Sequence, residues 1–199
     1  INWINDNIPA IVEGWFPGEA GGKAVADVLF ADYNPGGRLP ITFPKSVGQL
    51  PIYYNQKPSA IHRYVSESEN PLYTFGYGLS YTTFEYSNLA LNTNQIKVDG
   101  EIKVSVDVKN TGNYDGDEVV QLYINDIYSS VTTPLKTLKG FKRVFIKIGE
   151  SQHLEFTLTA DELALWNREM KRVVEPGDFE VMVGGNSVDL LKLGFKVID

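Results

Sequence analysis

The chain has 199 residues, 43% of them hydrophobic and 12% aromatic, and a formal net charge of -7 at pH 7. This composition excludes a disordered chain, and the acidic balance argues against nucleic acid or an anionic membrane as a partner. The lack of cysteine excludes disulfides, thiolate nucleophiles and Cys-ligated metals.

The first predicted elements, in residues 1–44, are the end of an α/β domain. Residues 9–13 (PAIVE) are a short apolar run typical of a buried strand, residues 14–18 form a turn, and residues 19–31 repeat apolar side chains at helical spacing. One strand and one helix cannot bury their apolar faces alone. The sequence starts at Ile1 with neither an initiator Met nor a basic leader, so we expect the chain to begin inside a longer polypeptide.

Residues 45–81 are predicted to be a long connector between two domains. Pro51, Pro58 and Pro71 favour an irregular, extended path. A flexible linker would be rich in Gly and Ser, whereas this segment is rich in tyrosine, so we expect packing to order it.

Residues 82–199 are predicted to form an antiparallel β-sandwich of the immunoglobulin or fibronectin type III kind, because about seven short strands separated by turns are typical of that fold. The clearest strand places Val104, Val106 and Val108 on one face. A short helical or irregular segment at 160–167, with Asp161 near its start, interrupts the strands. The predicted strands are 84–91, 101–109, 118–125, 138–148, 152–158, 178–183 and 190–197.

The turn at residues 14–22 (GWFPGEAGG) occupies the place of a nucleotide-binding loop but matches neither phosphate-binding consensus. A tight turn that brings the helix close to the sheet is favoured. Trp15 and Phe16 are able to stack on a sugar ring, although aromatic residues beside a turn more often belong to a core.

Glu13 and Glu19 are the acidic residues nearest the predicted end of the strand, where ligands of α/β sheets gather. Glycoside hydrolysis requires two carboxylates, so the pair is a candidate acid and nucleophile. A structural role for Glu19, as an acid in the first turn of the helix, is the stronger interpretation.

Other candidate sites are weaker. Residues 113–118 (NYDGDE) resemble a calcium loop, but its required Gly and Glu positions are not met, which favours a β-turn closing two strands. His62 and His153 are the only histidines and offer neither a metal pair nor a triad, and no serine has a nucleophile-elbow context. We therefore predict no catalytic residue, cofactor or metal site in this chain.

The most distinctive segment is an aromatic strip at residues 73–81. In an extended chain its alternate side chains share one face, on which a sugar or a neighbouring domain would pack. Contact between domains is favoured, because large exposed aromatic patches are a liability. The strip comprises Tyr73, Phe75, Tyr77, Leu79 and Tyr81.

Seven motifs follow one another along the chain. The first three are residues 13–30 (EGWFPGEAGGKAVADVLF), 34–44 (NPGGRLPITFP) and 75–84 (FGYGLSYTTF). The other four are residues 110–112 (NTG), 116–123 (GDEVVQLY), 138–141 (LKGF) and 176–179 (PGDF). In this order, the first three resemble the C-terminal half of family 3 glycoside hydrolases of the β-glucosidase type, and the other four resemble that family's fibronectin type III-like domain.

The resemblance implies a parent with a (β/α)8-type barrel, an α/β sandwich and this β-sandwich. It implies a retaining, exo-acting enzyme that hydrolyses β-glucosides or oligosaccharides and is periplasmic or secreted. Its aspartate nucleophile lies on the barrel and its acid/base upstream, so neither maps onto this chain, which is expected to brace the missing barrel and α/β sandwich. Arg38 is expected to be structural, bonding carbonyls beside its turn. The alternative is a carbohydrate-binding or adhesion module that uses Trp15 or the aromatic strip.

Overall fold

The structure, a computed structural model, describes residues 1–58 and 68–199. Three α-helices are present in those residues: α1 (Asn2–Asn7), α2 (Gly21–Leu29) and α3 (Ala160–Leu163). The strands are β1 (Phe84–Leu91), β2 (Gln95–Lys97), β3 (Ile102–Asn110), β4 (Gly116–Asp126), β5 (Thr137–Ile146), β6 (Ser151–Leu158), β7 (Leu165–Trp166), β8 (Arg172–Val173), β9 (Gly177–Gly184) and β10 (Leu191–Ile198). No helix in these ranges is long and apolar enough to cross a membrane.

The strands form the predicted two-sheet sandwich. A three-stranded sheet has the order β1-β3-β6, a five-stranded sheet has the order β2-β10-β9-β4-β5, and β7 and β8 form a small separate pair. All pairings between these strands are antiparallel except that of β2 with β10, which is parallel. This parallel pair lies at the edge of the five-stranded sheet, which the chain reaches by crossing to the opposite sheet after β1 instead of turning back in a hairpin.

The core lies between the two sheets and follows from strand alternation. Val104, Val106 and Val108 are each 0% exposed, on the face predicted for them. They meet apolar residues of β4 and β9, such as Leu122 and Val181, in one continuous cluster. The fold class is therefore confirmed, and the seven predicted strands correspond to β1, β3, β4, β5, β6, β9 and β10.

The amino-terminal part differs from its prediction. Residues 9–13 form no strand and are exposed along their whole length. A strand needs a neighbour for its backbone hydrogen bonds, and the sheets that the structure describes all begin at Phe84 or later. The apolar run is present as predicted, but the partner that would make it a buried strand is not among the described residues.

The connector is ordered by backbone pairing where the structure describes it. Its later part runs beside the end of residues 1–44, through a bridge between Tyr73 and Phe43. The Gly76 amide donates to the Leu39 carbonyl at 2.8 Å, which continues the pairing towards the sandwich. Another amide, that of Ser187 in the β9–β10 connection, donates to the Phe75 carbonyl at 3.1 Å, so the connector is fastened to the sandwich.

Candidate interdomain surface and its polar junction

Residues 1–33 present a dense apolar surface to solvent, which we call the amino-terminal surface. α1 buries no residue and α2 buries only Gly21. An exposed apolar surface of this density typically contacts another part of a protein. Its members, each at least a third exposed, are Ile1, Trp3, Ile4, Ile8, Ile11, Val12, Trp15, Phe16, Val25, Leu29, Phe30 and Tyr33.

The two candidate carboxylates belong to the loop before α2 and are used differently. Glu13 Oε1 accepts a hydrogen bond from the Trp15 amide at 2.9 Å, while Trp15 itself adopts a positive φ of 50°. Glu19 immediately precedes Ala20, the N-cap, and the first turn of α2 contains no acidic residue. The prediction that Glu19 is a first-turn acid is wrong, because a turn closed by the Gly21 amide on the Gly18 carbonyl delays the helix.

The aromatic strip is bent, not extended. The Tyr77 amide donates to the Thr74 carbonyl at 3.1 Å, and Gly76 takes a φ of +79°, so these residues form a turn. Tyr73 and Tyr77 stack on each other with centroids 5.4 Å apart, whereas Phe75 stacks on Tyr54 at 4.1 Å. The expectation that alternate positions share one face therefore fails at this turn.

Tyrosine hydroxyls join the amino-terminal part to the remainder. The Tyr73 hydroxyl donates to Asn5 Oδ1 of α1 at 2.6 Å, and the Tyr81 hydroxyl donates to the Val28 carbonyl of α2. Arg143 on β5 donates to the Tyr33 hydroxyl at 2.5 Å. Both helices and the segment after them are thus connected to the strip or to the sandwich.

A buried ion pair forms the centre of the junction between residues 34–44 and the sandwich. Glu118 of β4 is 2% exposed, and its two oxygens accept hydrogen bonds from Arg38 Nη2 and, at 2.7 Å, from the Tyr86 hydroxyl. Burial, reinforced by the Glu118 carboxylate, raises the pKa of the Tyr86 phenol far above its usual range. Several carbonyls were expected as partners of Arg38, but among the described residues it bonds the Glu118 carboxylate and one carbonyl, that of Gly37.

A buried amide completes the junction further along β4. Gln121 Nε2 donates to the Gly76 carbonyl at 3.3 Å and to the Gly185 carbonyl at 2.7 Å, and its Oε1 accepts from the Tyr123 hydroxyl. Tyr123 is fully buried beneath Tyr54. Every polar atom of this amide is therefore engaged in holding the connector on the sheet.

Sequence reasoning missed Glu118 and Gln121 as junction residues. They stand within an otherwise apolar run, EVVQLY, in which two long polar side chains interrupt a predicted buried strand. Long polar residues are buried almost only when paired, so their position in that run was the available signal. The partner of Glu118 is 80 positions away and leaves no local trace.

The two histidines lie apart from the polar junction or outside the described residues. His153 Nδ1 lies 2.6 Å from Asp107 Oδ1 on the exposed face of the three-stranded sheet, and hydrogen bonds from Asn88 and His153 hold the pKa of Asp107 below its usual value. His62 lies outside the described residues. Within those residues no group of three or more acidic or histidine side chains is arranged to hold a metal ion.

Residues 113–118 cover the end of the connection from β3 to β4 and the first residues of β4. The two strands lie in different sheets, so this connection crosses from one sheet to the other. Asp115 accepts the Ile148 amide at 2.8 Å, and Asp117 accepts Arg143 at the same distance. Asp115 thus fastens the connection to the segment after β5, whereas Asp117 joins β4 to β5.

Known families match both parts of the chain. Residues 1–81 match the glycosyl hydrolase family 3 C-terminal domain, and residues 118–187 match the fibronectin type III-like domain. The chain is 48% identical over 191 residues to a β-xylosidase of Formosa agariphila, covering 94% of this chain and 26% of that protein. It is 44% identical over 200 residues to a periplasmic β-glucosidase of Salmonella typhimurium, covering 95% and 26%.

Solved structures agree in fold. A β-glucosidase from Erythrobacter marinus superposes with a TM-score of 0.95 at 41% identity, covering 98% of this chain and 26% of that one. A β-glucosidase from Listeria innocua in complex with glucose gives a TM-score of 0.87 at 33% identity, covering 93% and 27%. The chain thus spans about a quarter of the length of these relatives. The chain belongs to glycoside hydrolase family 3. It contains sequence of that family's C-terminal domain, followed by sequence of the fibronectin type III-like domain.

Proposed function

We propose that this chain is the C-terminal bracing part of a longer, retaining, exo-acting β-glycosidase of the β-glucosidase type. In this proposal the catalytic residues lie on a barrel and an α/β sandwich outside the chain, and the chain holds no complete active site. The domains would be residues 1–44, which complete the α/β sandwich, a connector at 45–81, and the fibronectin type III-like sandwich at 82–199.

The observation that carries the proposal is the contrast between the two sides of residues 1–33. One side is bonded to the strip and to β5 through Tyr73, Tyr81 and Arg143. The other side is the amino-terminal surface, on which Phe16 is 100% exposed and Phe30 is 81% exposed. Burying one such ring is worth about 1.5–3 kcal/mol, so the set supplies a strong driving force for docking.

The relatives support the class of reaction without fixing the sugar. Their names divide between β-glucosidase and β-xylosidase, so hydrolysis of terminal β-glucosides is the proposal and β-xylosides are the nearest competing substrates. A periplasmic or secreted location is likewise proposed, and it is supported by the name of the Salmonella typhimurium relative.

A carbohydrate-binding or adhesion module is the second candidate. The half-exposed ring of Trp15, next to the fully exposed Phe16, favours it. The bent strip favours it less, because Tyr73 and Tyr77 cover each other. Sugar binding by the 199-residue chain that disappears in Trp15→Ala would support this candidate over docking.

The proposal is tested by reconstitution. The Formosa agariphila β-xylosidase is truncated before its region equivalent to Ile1, and this chain is added in trans. We expect the chain alone to hydrolyse no aryl β-glucoside or β-xyloside, and the mixture to recover turnover. Phe16→Ser should weaken the reconstituting affinity about 10- to 100-fold, since it removes about 1.5–3 kcal/mol of burial.

The reconstitution has a control variant and a result that would contradict the proposal. Val188→Ser, which removes an exposed apolar side chain from the β9–β10 connection, should leave reconstitution unchanged. If the chain alone turned over substrate and lost that activity in Glu13→Gln or Glu19→Gln, the bracing role would be wrong.

A further inference from the structure

A cleft opens at the end of the sandwich, away from the amino-terminal surface. It lies between the connection from β4 to β5 and the segment formed by α3 and β7, with a volume of about 290 Å³. Ile124, Leu163 and Phe179, all nearly or fully buried, form its floor. Trp166, which is 61% exposed, lines the opening. The cleft is therefore apolar inside with a large aromatic ring at its margin, as small-ligand sites commonly are.

Both positively and negatively charged side chains line this cleft. Lys57 and Lys139 supply two cations, and Asp126 and Glu162 supply two carboxylates, so the lining has no net charge. Glu162 is held in position by the capping box of α3, where its Oε2 accepts the Thr159 amide at 2.7 Å. Balanced charge with fixed carboxylates suits a neutral ligand rich in hydroxyl groups better than an ion.

Lys139 is directed into the cleft by an irregularity of its strand. Leu122 pairs with Gly140 and Tyr123 pairs with Leu138, so Lys139 is the extra residue of a β-bulge in the edge strand β5. Bulges re-aim side chains and are common beside binding sites. Half-buried, the ammonium makes no hydrogen bond or ion pair with any residue of 1–58 or 68–199, and burial lowers its pKa.

The geometry points to a binding site for a single neutral pyranose unit in this cleft, with Trp166 as the stacking platform. Lys139 donates to a ring hydroxyl, while Asp126 and Glu162 accept from neighbouring hydroxyls. The hydroxyl of Thr137, on the β5 wall, is a further polar partner. The site lies on the fibronectin type III-like domain, so it is independent of Trp15, of the aromatic strip and of the bracing role.

The test is a 15N NMR titration of the 199-residue chain with methyl β-D-glucopyranoside and methyl β-D-xylopyranoside. The three tryptophans give three indole N–H signals. We expect a saturable shift of the Trp166 signal with a dissociation constant of about 1–10 mM, because one sugar ring offers little contact area. The Trp3 and Trp15 signals should not move.

Variants decide the outcome. Trp166→Ala should abolish saturable binding. Lys139→Met should weaken binding about 5- to 10-fold, because a charged donor is lost. Trp3→Ala changes an exposed indole outside the cleft and should bind the sugar as the parent chain does. A Lys139→Met chain with unchanged thermal unfolding keeps the test valid if Trp166→Ala fails to fold. No saturation at about 100 mM sugar, roughly tenfold above the expected constant, or shifts confined to Trp15, would overturn the inference.

Discussion

Arg38 and Glu118 form an ion pair at the junction, and both side chains are nearly buried. Their side chains are 10% and 3% exposed, and the Tyr86 hydroxyl occupies the second carboxylate oxygen. A buried pair adds little net stability when intact, but removal of one partner leaves an uncompensated charge in a poorly solvated place. The attachment of residues 34–44 to the sandwich therefore depends on both residues together.

We predict that Arg38→Ala lowers the free energy of unfolding by about 3–5 kcal/mol, measured by urea denaturation at pH 7. The matched control is Lys192→Ala, which removes the exposed 3.2 Å pair with Glu180 and should cost less than about 1 kcal/mol. Equal, small effects of the two substitutions would show that Glu118 is not held by Arg38.

Asp126 makes stability depend on pH in an unusual direction. Burial, with a smaller contribution from Glu175, raises the pKa of Asp126 from 3.8 to about 6. The folded chain then binds more protons than the unfolded chain between these values, so this contribution to stability is complete below about pH 4 and is lost as pH rises through about 6.

Asp126→Asn should remove that dependence and stabilise the chain at pH 7. About 1 kcal/mol is expected, because the site is only half-buried and solvent screening reduces the effect. Thermal unfolding of both chains from pH 4 to 7.5 measures it. If the two stability curves stay parallel across this range, Asp126 does not titrate near 6.

At the scale of elements, the local hydrophobic pattern predicts a strand correctly where the neighbouring strands of its sheet are present among the described residues. β3 is predicted from alternating valines, which the structure places in the core. Residues 9–13 carry an equally apolar pattern, yet they form no strand. Alternation and apolarity report which side chains need burial, but they do not report whether a partner is present.

The bend in the aromatic strip is hidden from sequence for a related reason. Gly76 is compatible with the predicted extended run, because glycine occurs in strands as well as in turns. The structure brings Gly76 against the Gln121 side chain, whose Oε1 would overlap a Cβ at this position. Only the fold, through β4, shows why this residue is glycine.

A comparison of two glycines with similar positive φ angles distinguishes the cost of backbone strain from the cost of a side-chain clash. Gly76 and Gly149 have φ angles of +79° and +74°, but a Cβ at Gly149 would meet nothing within 4 Å. Gly149→Ala should cost about 1 kcal/mol from the positive φ alone, and Gly76→Ala about 1–3 kcal/mol more from displacing the buried amide. Urea denaturation compares them, and equal losses would mean that Gln121 moves aside freely.

At the scale of the whole molecule, the described residues combine a sandwich that has its own core with an amino-terminal part that buries little. The sandwich buries a continuous core between its two sheets. Residues 1–33 bury almost nothing, and scattered polar and ring contacts, such as that of Arg143 with the Tyr33 hydroxyl, join them to the rest of the described chain. Segments with few buried contacts open at low free-energy cost, so the two parts should differ in local stability.

Hydrogen exchange of the isolated 199-residue chain measures this difference in local stability. The amides of α1 and α2 should exchange by local opening, at a free energy several kcal/mol below that of β3 and β4, whose amides should exchange only by global unfolding. Protection of both helices should rise when the truncated Formosa agariphila enzyme is added, and protection of β3 should not. Helices already protected to the level of β3 in the isolated chain would contradict the claim that residues 1–33 await a partner.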